Sequence, residues 1–106
     1  MRVPRPPKSK PSFDEAVRAV VRAIPKGQTL SYAQVALYAG KPGAARAVVQ
    51  ALNRLSEIPW WRVVRSDGTV APQMATKQLP RLGAEGLKTR GRRLLKPTIV
   101  SRRRDG

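Results

Sequence analysis

The chain from residue 12 to residue 55 carries strong helix signals, and they restrict the possible folds more than any other feature of the sequence. Ser12 and Glu15 have the spacing of a capping box, in which each side chain satisfies a free backbone amide at the start of a helix. Pro25 and Gly27 then stop the run. Between these points apolar residues recur at helical spacing, at Phe13, Ala16, Val17, Val20, Val21 and Ile24. We expect the first helix here.

Two more helices are predicted to come next in quick succession. Ser31 is placed to cap "YAQVALYA", and Gly40 suits the left-handed position that ends a helix. Pro42 and Gly43 precede "AARAVVQALNRL", whose expected buried stripe is Ala44, Val48, Ala51, Leu52 and Leu55. Because only the turn "GKPG" separates the two segments, they have the outline of a helix-turn-helix.

Beyond residue 60 the pattern becomes extended. Two valines at 63 and 64, a turn signal at residues 66–68 and the pair Thr69 and Val70 predict a short β-hairpin. Residues 71–78 read as a loop, and "LPRLGAEG" as a brief helix with Pro80 in its first turn and Gly86 at its end. Gly91 lies between short apolar patches that suggest an extended pair. The predicted fold class is mainly α with a small β-hairpin.

Composition limits the chemistry that this chain can perform. With 106 residues and 41% hydrophobic content, one small domain is expected. Cysteine and histidine are both absent, which excludes disulfides, thiolate nucleophiles and the commonest metal ligand and general base. The six carboxylates are scattered. We therefore expect no catalytic residue, no metal and no cofactor.

No apolar run reaches the roughly 18 residues that span a membrane, and the basic N-terminus lacks the apolar stretch of a secretory signal. We expect no membrane partner and a cytoplasmic location.

The charge points to a polyanionic partner. Lys and Arg number 22 against 6 Asp and Glu, for a net charge of +16. Much of the excess lies at the ends: "MRVPRPPKSKP" predicts a basic flexible arm over residues 1–11, and residues 96–106 read as a basic tail. Such arms favour nucleic acid, with ribosomal RNA, acidic lipid or simple solubility as alternatives.

Two stretches, "IPKGQTLSYAQVALYAGKPGAARAV" and "IPWWRVVRSDG", occur in an order that resembles a known family. From residue 13 to about 95 the chain is similar to the DNA-binding domain of O6-alkylguanine-DNA alkyltransferases, and more closely to alkyltransferase-like proteins that lack the reactive cysteine. Where the repair enzymes read Pro-Cys-His-Arg-Val, Trp60 stands at the cysteine position and Trp61 at the histidine position. The resemblance implies a winged-helix-like helix-turn-helix domain of the alkyltransferase C-terminal type over residues 12–95.

The resemblance also implies a function. Alkyl transfer needs an activated thiolate, and the sequence contains no thiol. The implied protein is a non-enzymatic sensor that flips O6-alkylguanine out of duplex DNA and directs it to nucleotide excision repair proteins, working as a nucleoid-associated monomer. A general or architectural helix-turn-helix protein without lesion specificity is the alternative. A residual transferase or glycosylase activity is a third possibility.

Site residues carried over from the family form three groups. Tyr32 matches the tyrosine that rotates the target nucleotide by crowding its 3′ phosphate, and Arg46 matches the arginine that fills the vacated space. The implied lesion pocket comprises Trp60, Tyr32, Val64, Pro59, Gln73 and Met74. The implied DNA contacts are Arg46, Tyr32, Ala44, Ala47, Ser31 and Thr29, and Arg62 and Trp61 support the pocket.

Several of these residues also have plainer interpretations. By residue type alone, both tryptophans are equally good core residues, Tyr32 could be ordinary helix surface and Arg46 a solvated charge. The chain also departs from the family in the lid, "APQMATKQ". Some alkyltransferase-like proteins place an arginine over the base there, where this sequence has Gln73, and Met74 could supply an adaptable apolar contact instead.

Overall fold

Four short helices and two small sheets make up the part of the chain that the computed structural model describes, residues 12–95. The predicted basic arm and basic tail lie outside this range. The helices are α1 (Phe13–Arg22), α2 (Tyr32–Tyr38), α3 (Ala45–Arg54) and α4 (Ala75–Ala84), and the strands are β1 (Leu30–Ser31), β2 (Val63–Val64), β3 (Thr89–Arg90) and β4 (Arg93–Leu94). Single 3₁₀ turns precede β2, at Trp60–Arg62, and α4, at Pro72–Met74.

The capping box at the start of α1 is confirmed. The Ser12 hydroxyl accepts from the Glu15 amide at 3.1 Å, and the Glu15 carboxylate accepts from the Ser12 amide at 3.1 Å. The expected apolar face is also confirmed, since its members Val17, Val20, Val21 and Ile24 are buried. Helices α2 and α3 both pack against this helix.

The helix-turn-helix is present at the predicted place. Ser31 caps α2 through a second capping box, with the Gln34 amide 3.0 Å from the serine hydroxyl. Gly40 ends the helix with φ 92°, a left-handed angle that favours glycine because it has no Cβ. The α3 stripe is confirmed as well: Val48 and Ala51 are fully buried, and Ala44, Leu52 and Leu55 pack partly buried against the same core.

The predicted hairpin over residues 63–70 was wrong. Strand β2 pairs in parallel with β1, with Leu30 opposite Val63 and Ser31 opposite Val64. Val63 is fully buried and Val64 is 5% exposed, so both neighbouring side chains of this strand point into protein. Such two-sided burial suits a parallel strand covered on both faces, whereas a surface hairpin would leave one face to solvent. After β2 the chain turns back, with the Gly68 amide donating to the Arg65 carbonyl at 2.8 Å and the Arg65 amide donating to the Thr69 carbonyl at 3.0 Å, and Thr69 then forms a β-bridge with Arg93 and not with β2.

The extended pair around Gly91 is confirmed, since β3 and β4 pair antiparallel across that glycine. We call residues 88–95 the basic hairpin. It comes after the helices in the chain, as the wing of a winged helix does.

The predicted loop over residues 71–78 and brief helix from residue 79 also need correction. Helix α4 begins at Ala75, so Pro80 lies inside the helix and not in its first turn. A proline there removes one backbone donor, and tertiary contacts offset this local penalty. Gln78 is 1% exposed and donates from Nε2 to the carbonyls of Trp61 at 3.0 Å and Val63 at 2.9 Å. These bonds need the segment before Pro80 to be helical and to lie against β2.

The core consists of two clusters that meet at the adjacent tryptophans. The larger cluster lies beneath the helix-turn-helix, and Trp60 packs against it. The smaller cluster consists of Val64, Val70 and Leu82, and Trp61 packs against it. Among residues 12–95, no helix is long and apolar enough to cross a membrane.

Candidate nucleic-acid interface

The tryptophan pair sits on the 3₁₀ turn between α3 and β2. The two indole rings meet edge to face, with centroids 6.0 Å apart and planes at 84°. Both side chains are half-buried, and each rests on a different core cluster. The turn therefore holds two large aromatic surfaces in fixed orientations at the boundary with solvent.

A carboxylate behind the tryptophans fixes this arrangement. Glu85 accepts hydrogen bonds from Trp61 Nε1 at 2.9 Å, from Arg62 Nη2 at 2.6 Å and from the Gly27 amide at 3.2 Å. Arg62 also donates from Nη1 to the Ile24 carbonyl at 2.8 Å. The cluster ties together the segment after α1, the tryptophan turn and the end of α4.

The Glu85–Arg62 pair is shielded from water, with side-chain exposures of 7% and 15%. The hydrogen bonds from Arg62, with smaller contributions from Trp61 and Gly27, outweigh the effect of burial and lower the pKa of Glu85 from 4.5 to about 2. The Arg62 side chain points inward and fixes the tryptophan turn, so the two indole rings form the outer surface of that turn.

Sequence reasoning missed Glu85. Only its rarity pointed to it: it is one of six carboxylates in a chain with 22 cations.

Tyr32 and Arg46 lie on the two helices of the helix-turn-helix. Tyr32 is the first residue of α2 and packs partly buried against the larger core cluster. Burial raises the pKa of its phenol, while the nearby Arg65 acts in the opposite direction, so at neutral pH the hydroxyl is protonated and able to donate.

Arg46 is the second residue of α3 and is exposed. Within the described range no carboxylate or carbonyl accepts a hydrogen bond from its guanidinium. Ala44 and Ala47 lie beside it and are half-buried, so the start of α3 presents one long cation among small side chains.

Three other predicted residues lie along an open cleft of about 540 Å³. Thr29, Ser31 and Val64 line it together with Arg65 and Arg93. The remaining members of the predicted pocket, Trp60, Tyr32, Pro59, Gln73 and Met74, are not among its lining residues. Gln73 is exposed and Met74 half-buried on the 3₁₀ turn before α4. The structure thus distributes the predicted pocket residues over this cleft, the tryptophan turn, the start of α2 and the 3₁₀ turn before α4.

A second residue that sequence reasoning missed is Arg81. Its guanidinium carbon lies 5.0 Å from the ring centroid of Trp61 and 5.9 Å from that of Trp60, within the range of cation–π contact. It projects from α4, whose start was predicted too late in the sequence, so no pattern linked it to the tryptophans. Within residues 12–95, no group of acidic side chains is placed to hold a metal ion.

A helix-turn-helix with an exposed arginine, together with a basic hairpin after it, defines a DNA-binding domain of the winged helix-turn-helix type. Residues 12–90 match the family model described as 6-O-methylguanine DNA methyltransferase, DNA binding domain, and the chain belongs to this family.

The chain is similar both to proteins that are named as methyltransferases and to proteins that are not. A DNA base-flipping protein of Vibrio parahaemolyticus is 40% identical over 75 residues, which cover 66% of this chain and 75% of the relative. The crystal structure of S. pombe Atl1 in complex with damaged DNA containing O6-carboxymethylguanine superposes with a TM-score of 0.69 at 34% identity, covering 74% of this chain and 79% of that one. The O6-methylguanine methyltransferase of Mycobacterium tuberculosis gives a TM-score of 0.62 at 30% identity, covering 71% of this chain and 48% of the enzyme. The domain shared with that enzyme is therefore about half of the enzyme.

Proposed function

We propose that this protein is a non-enzymatic sensor of DNA damage, which flips O6-alkylguanine out of the duplex and holds it reversibly. One observation carries the proposal: the sequence contains no thiol, and the family resemblance puts Trp60 at the position of the transferases' reactive cysteine. The only sulfur atoms in the sequence are the thioethers of Met1 and Met74, and a thioether cannot replace a thiolate as the acceptor of an alkyl group. The binding step survives this replacement, because an indole offers a flat apolar surface to an extruded base.

Two relatives support the proposal that the chain binds a flipped, damaged base. One is named a DNA base-flipping protein, and another is known in complex with DNA containing O6-carboxymethylguanine. We therefore take O6-alkylguanine as the ligand class for this chain.

Tyr32 and Arg46 take complementary parts in the proposed flipping step. An extruded base leaves an unpaired partner and a gap in the stack, and a planar guanidinium can pack into that gap and donate hydrogen bonds. Arg46 fits this part because it is exposed and its guanidinium has no acceptor within residues 12–95. The ring of Tyr32 is held by the core, which suits a residue that crowds a phosphate.

The proposal extends to the fate of the lesion after it is bound. A sensor without transfer chemistry leaves the lesion intact, so a separate process has to remove it, and we propose nucleotide excision repair proteins as the recipients. The protein would then act in the cytoplasm on nucleoid DNA, as a monomer on each lesion.

Two variants test the flipping step. The unaltered protein is expected to bind a duplex with one O6-methylguanine more tightly than its unmodified twin, and Arg46→Ala and Tyr32→Ala are each expected to reduce that ratio about tenfold, or ~1.4 kcal/mol. Tyr32→Phe keeps the ring and should retain most of the ratio. Titration by fluorescence anisotropy at fixed salt provides the measurement. Equal affinities of the unaltered protein for the two duplexes would refute lesion recognition.

The alternative, a general or architectural DNA-binding protein, is favoured by the cations of the basic hairpin, which suit any phosphate backbone. It predicts equal affinities in the same titration, so lesion discrimination decides between the two functions.

Mass spectrometry tests the absence of catalysis. After incubation with DNA carrying O6-methylguanine, we expect the masses of both the protein and the DNA to be unchanged, because the chain offers no thiol acceptor. A protein heavier by one methyl group would show transferase activity, and loss of the base from the DNA would show glycosylase activity.

A further inference from the structure

The basic hairpin is a dense cationic surface to which the proposed function assigns no part. Lys88, Arg90, Arg92 and Arg93 lie within six residues of sequence, with no acidic residue among them. All four are exposed. Such a concentration of cations on so small an element is a strong attractor for phosphate groups.

The hairpin is firmly attached to the body of the domain. The Val70 amide donates to the Arg92 carbonyl at 2.8 Å, and the Leu94 amide donates to the Gly68 carbonyl at 2.8 Å. Two of the guanidinium groups reinforce the contact, from Arg92 to the Val70 carbonyl at 2.9 Å and from Arg93 to the Asp67 carbonyl at 3.1 Å. The hairpin backbone and the side chains of Arg92 and Arg93 are therefore held in place before any ligand binds.

Two of the four cations remain available for a ligand. In residues 12–95, no side-chain hydrogen bond or ion pair engages Lys88 or Arg90. A ligand would not have to displace an internal partner to reach them.

The cleft of about 540 Å³ connects this hairpin with the helix-turn-helix. Its lining comes from the segment before and into α2, from the turn after β2, and from Arg93, Leu94 and Leu95 of the hairpin. Arg65, also in the lining, lies close enough to Tyr32 to act on the pKa of its phenol. The cleft thus leads from Ser31, the neighbour of the proposed nucleotide-rotating tyrosine at the start of α2, to the basic hairpin.

The chemistry of the cleft suits a phosphodiester. Arg65 and Arg93 supply positive charge, and Thr29, Ser66 and Gln28 supply hydroxyl and amide donors. The one carboxylate in the lining, Asp67, is already engaged by the amide and hydroxyl of Thr69, at 3.0 and 2.7 Å. Positive charge and hydrogen-bond donors therefore prevail.

We propose that the basic hairpin and the cleft form a second DNA-contact surface, which holds the phosphodiester backbone beside the part of the duplex that the helix-turn-helix contacts. This rests on the DNA binding in the proposed function but not on lesion recognition, because phosphate contacts add affinity without reading the base. The surface lengthens the contact along the duplex and contributes equally to damaged and undamaged DNA.

The test removes the two free cations together, as Lys88→Ala with Arg90→Ala. The affinities for modified and unmodified duplexes are expected to fall by the same factor, leaving their ratio unchanged. The slope of log Kd against log salt should decrease in magnitude by about 1 to 2, since each lost phosphate contact on a duplex is worth roughly 0.9. The control is Arg18→Ala with Arg22→Ala, which removes two charges from α1 together with their 3.4 Å hydrogen bonds to the carbonyls of Ser56 and Glu57, and its slope should stay that of the unaltered protein.

A salt slope of the hairpin variant equal to that of the control would overturn the proposal. This outcome is distinct from failure of lesion recognition, which shows itself as an equal affinity for the two duplexes whatever the salt slope does. Amide NMR shifts of the unaltered protein give a second measurement that needs no variant. Shifts in residues 88–95 on adding unmodified duplex support the surface, and their absence at saturating duplex overturns it.

Discussion

Replacing Trp60 with alanine is expected to weaken binding to a duplex containing one O6-methylguanine by about 1 to 3 kcal/mol, or roughly 5- to 150-fold. The reason is the loss of the aromatic surface against which the extruded purine packs. Binding to the unmodified duplex rests on phosphate contacts elsewhere and should change little. Anisotropy titrations of both duplexes with the same protein preparation provide the measurement.

The neighbouring tryptophan supplies the control. Trp61→Phe keeps an aromatic ring but removes the indole N–H that donates to Glu85. We expect this variant to keep lesion affinity and to lose only stability, which a thermal melt detects. If Trp60→Ala folds and still binds the modified duplex as tightly as the unaltered protein does, Trp60 does not hold the base.

Exchanging Glu85 for glutamine is expected to lower the free energy of unfolding by about 3 kcal/mol, because it removes one partner of a shielded ion pair and leaves Arg62 without a countercharge. Urea denaturation at neutral pH measures the loss. The matched control is Glu57→Gln, which removes the same charge at an exposed position and should change stability by about 0.5 kcal/mol or less. Equal losses for the two variants would show that the Glu85 cluster adds nothing beyond net charge.

The lowered pKa of Glu85 also predicts how the stability of the protein changes with pH. Because folding lowers this pKa from 4.5 to about 2, the ionised carboxylate stabilises the folded state at pH values above 4.5. That contribution is lost as the pH falls from about 4.5 towards 2. Glu85→Gln should therefore lose less stability across this window than the unaltered protein, and parallel stability curves for the two would contradict the assignment.

The sequence predicted most of the structure where local signals determine it. Both helix starts with a serine cap, the left-handed Gly40 and the buried faces of α1 and α3 result from spacing within a few residues. The parallel pairing of β2 with β1 could not be read in this way, since its partners lie 33 positions apart. Helix α4 was misplaced because Pro80 reads locally as a first-turn residue, whereas the hydrogen bonds of Gln78 to the tryptophan turn decide the outcome.

In the candidate site, too, the sequence predicted some residues and missed those whose partners are distant along the chain. The family resemblance brought forward Trp60, Tyr32 and Arg46, which the structure places on the tryptophan turn and at the starts of α2 and α3. Glu85 was missed because its partners, Trp61, Arg62 and Gly27, are 23 to 58 residues away along the chain. The cleft was missed for the same reason, since three distant segments form it.

The tryptophans are neither wholly core nor wholly surface. Each packs one part of its ring system against a different core cluster while remaining half-exposed. The inner contacts orient the rings, and the proposed function uses the outer surface of Trp60. Rigid placement of an aromatic surface before binding reduces the entropy lost when a base is captured.

Reversible capture of a flipped base is tested most directly by a crystal structure of the protein with a duplex containing a single O6-methylguanine. We expect the modified purine outside the double helix and against the indole of Trp60, with the guanidinium of Arg46 in the space that the purine has left. A modified purine that remains paired and stacked inside the duplex, away from Trp60, would contradict the proposed function.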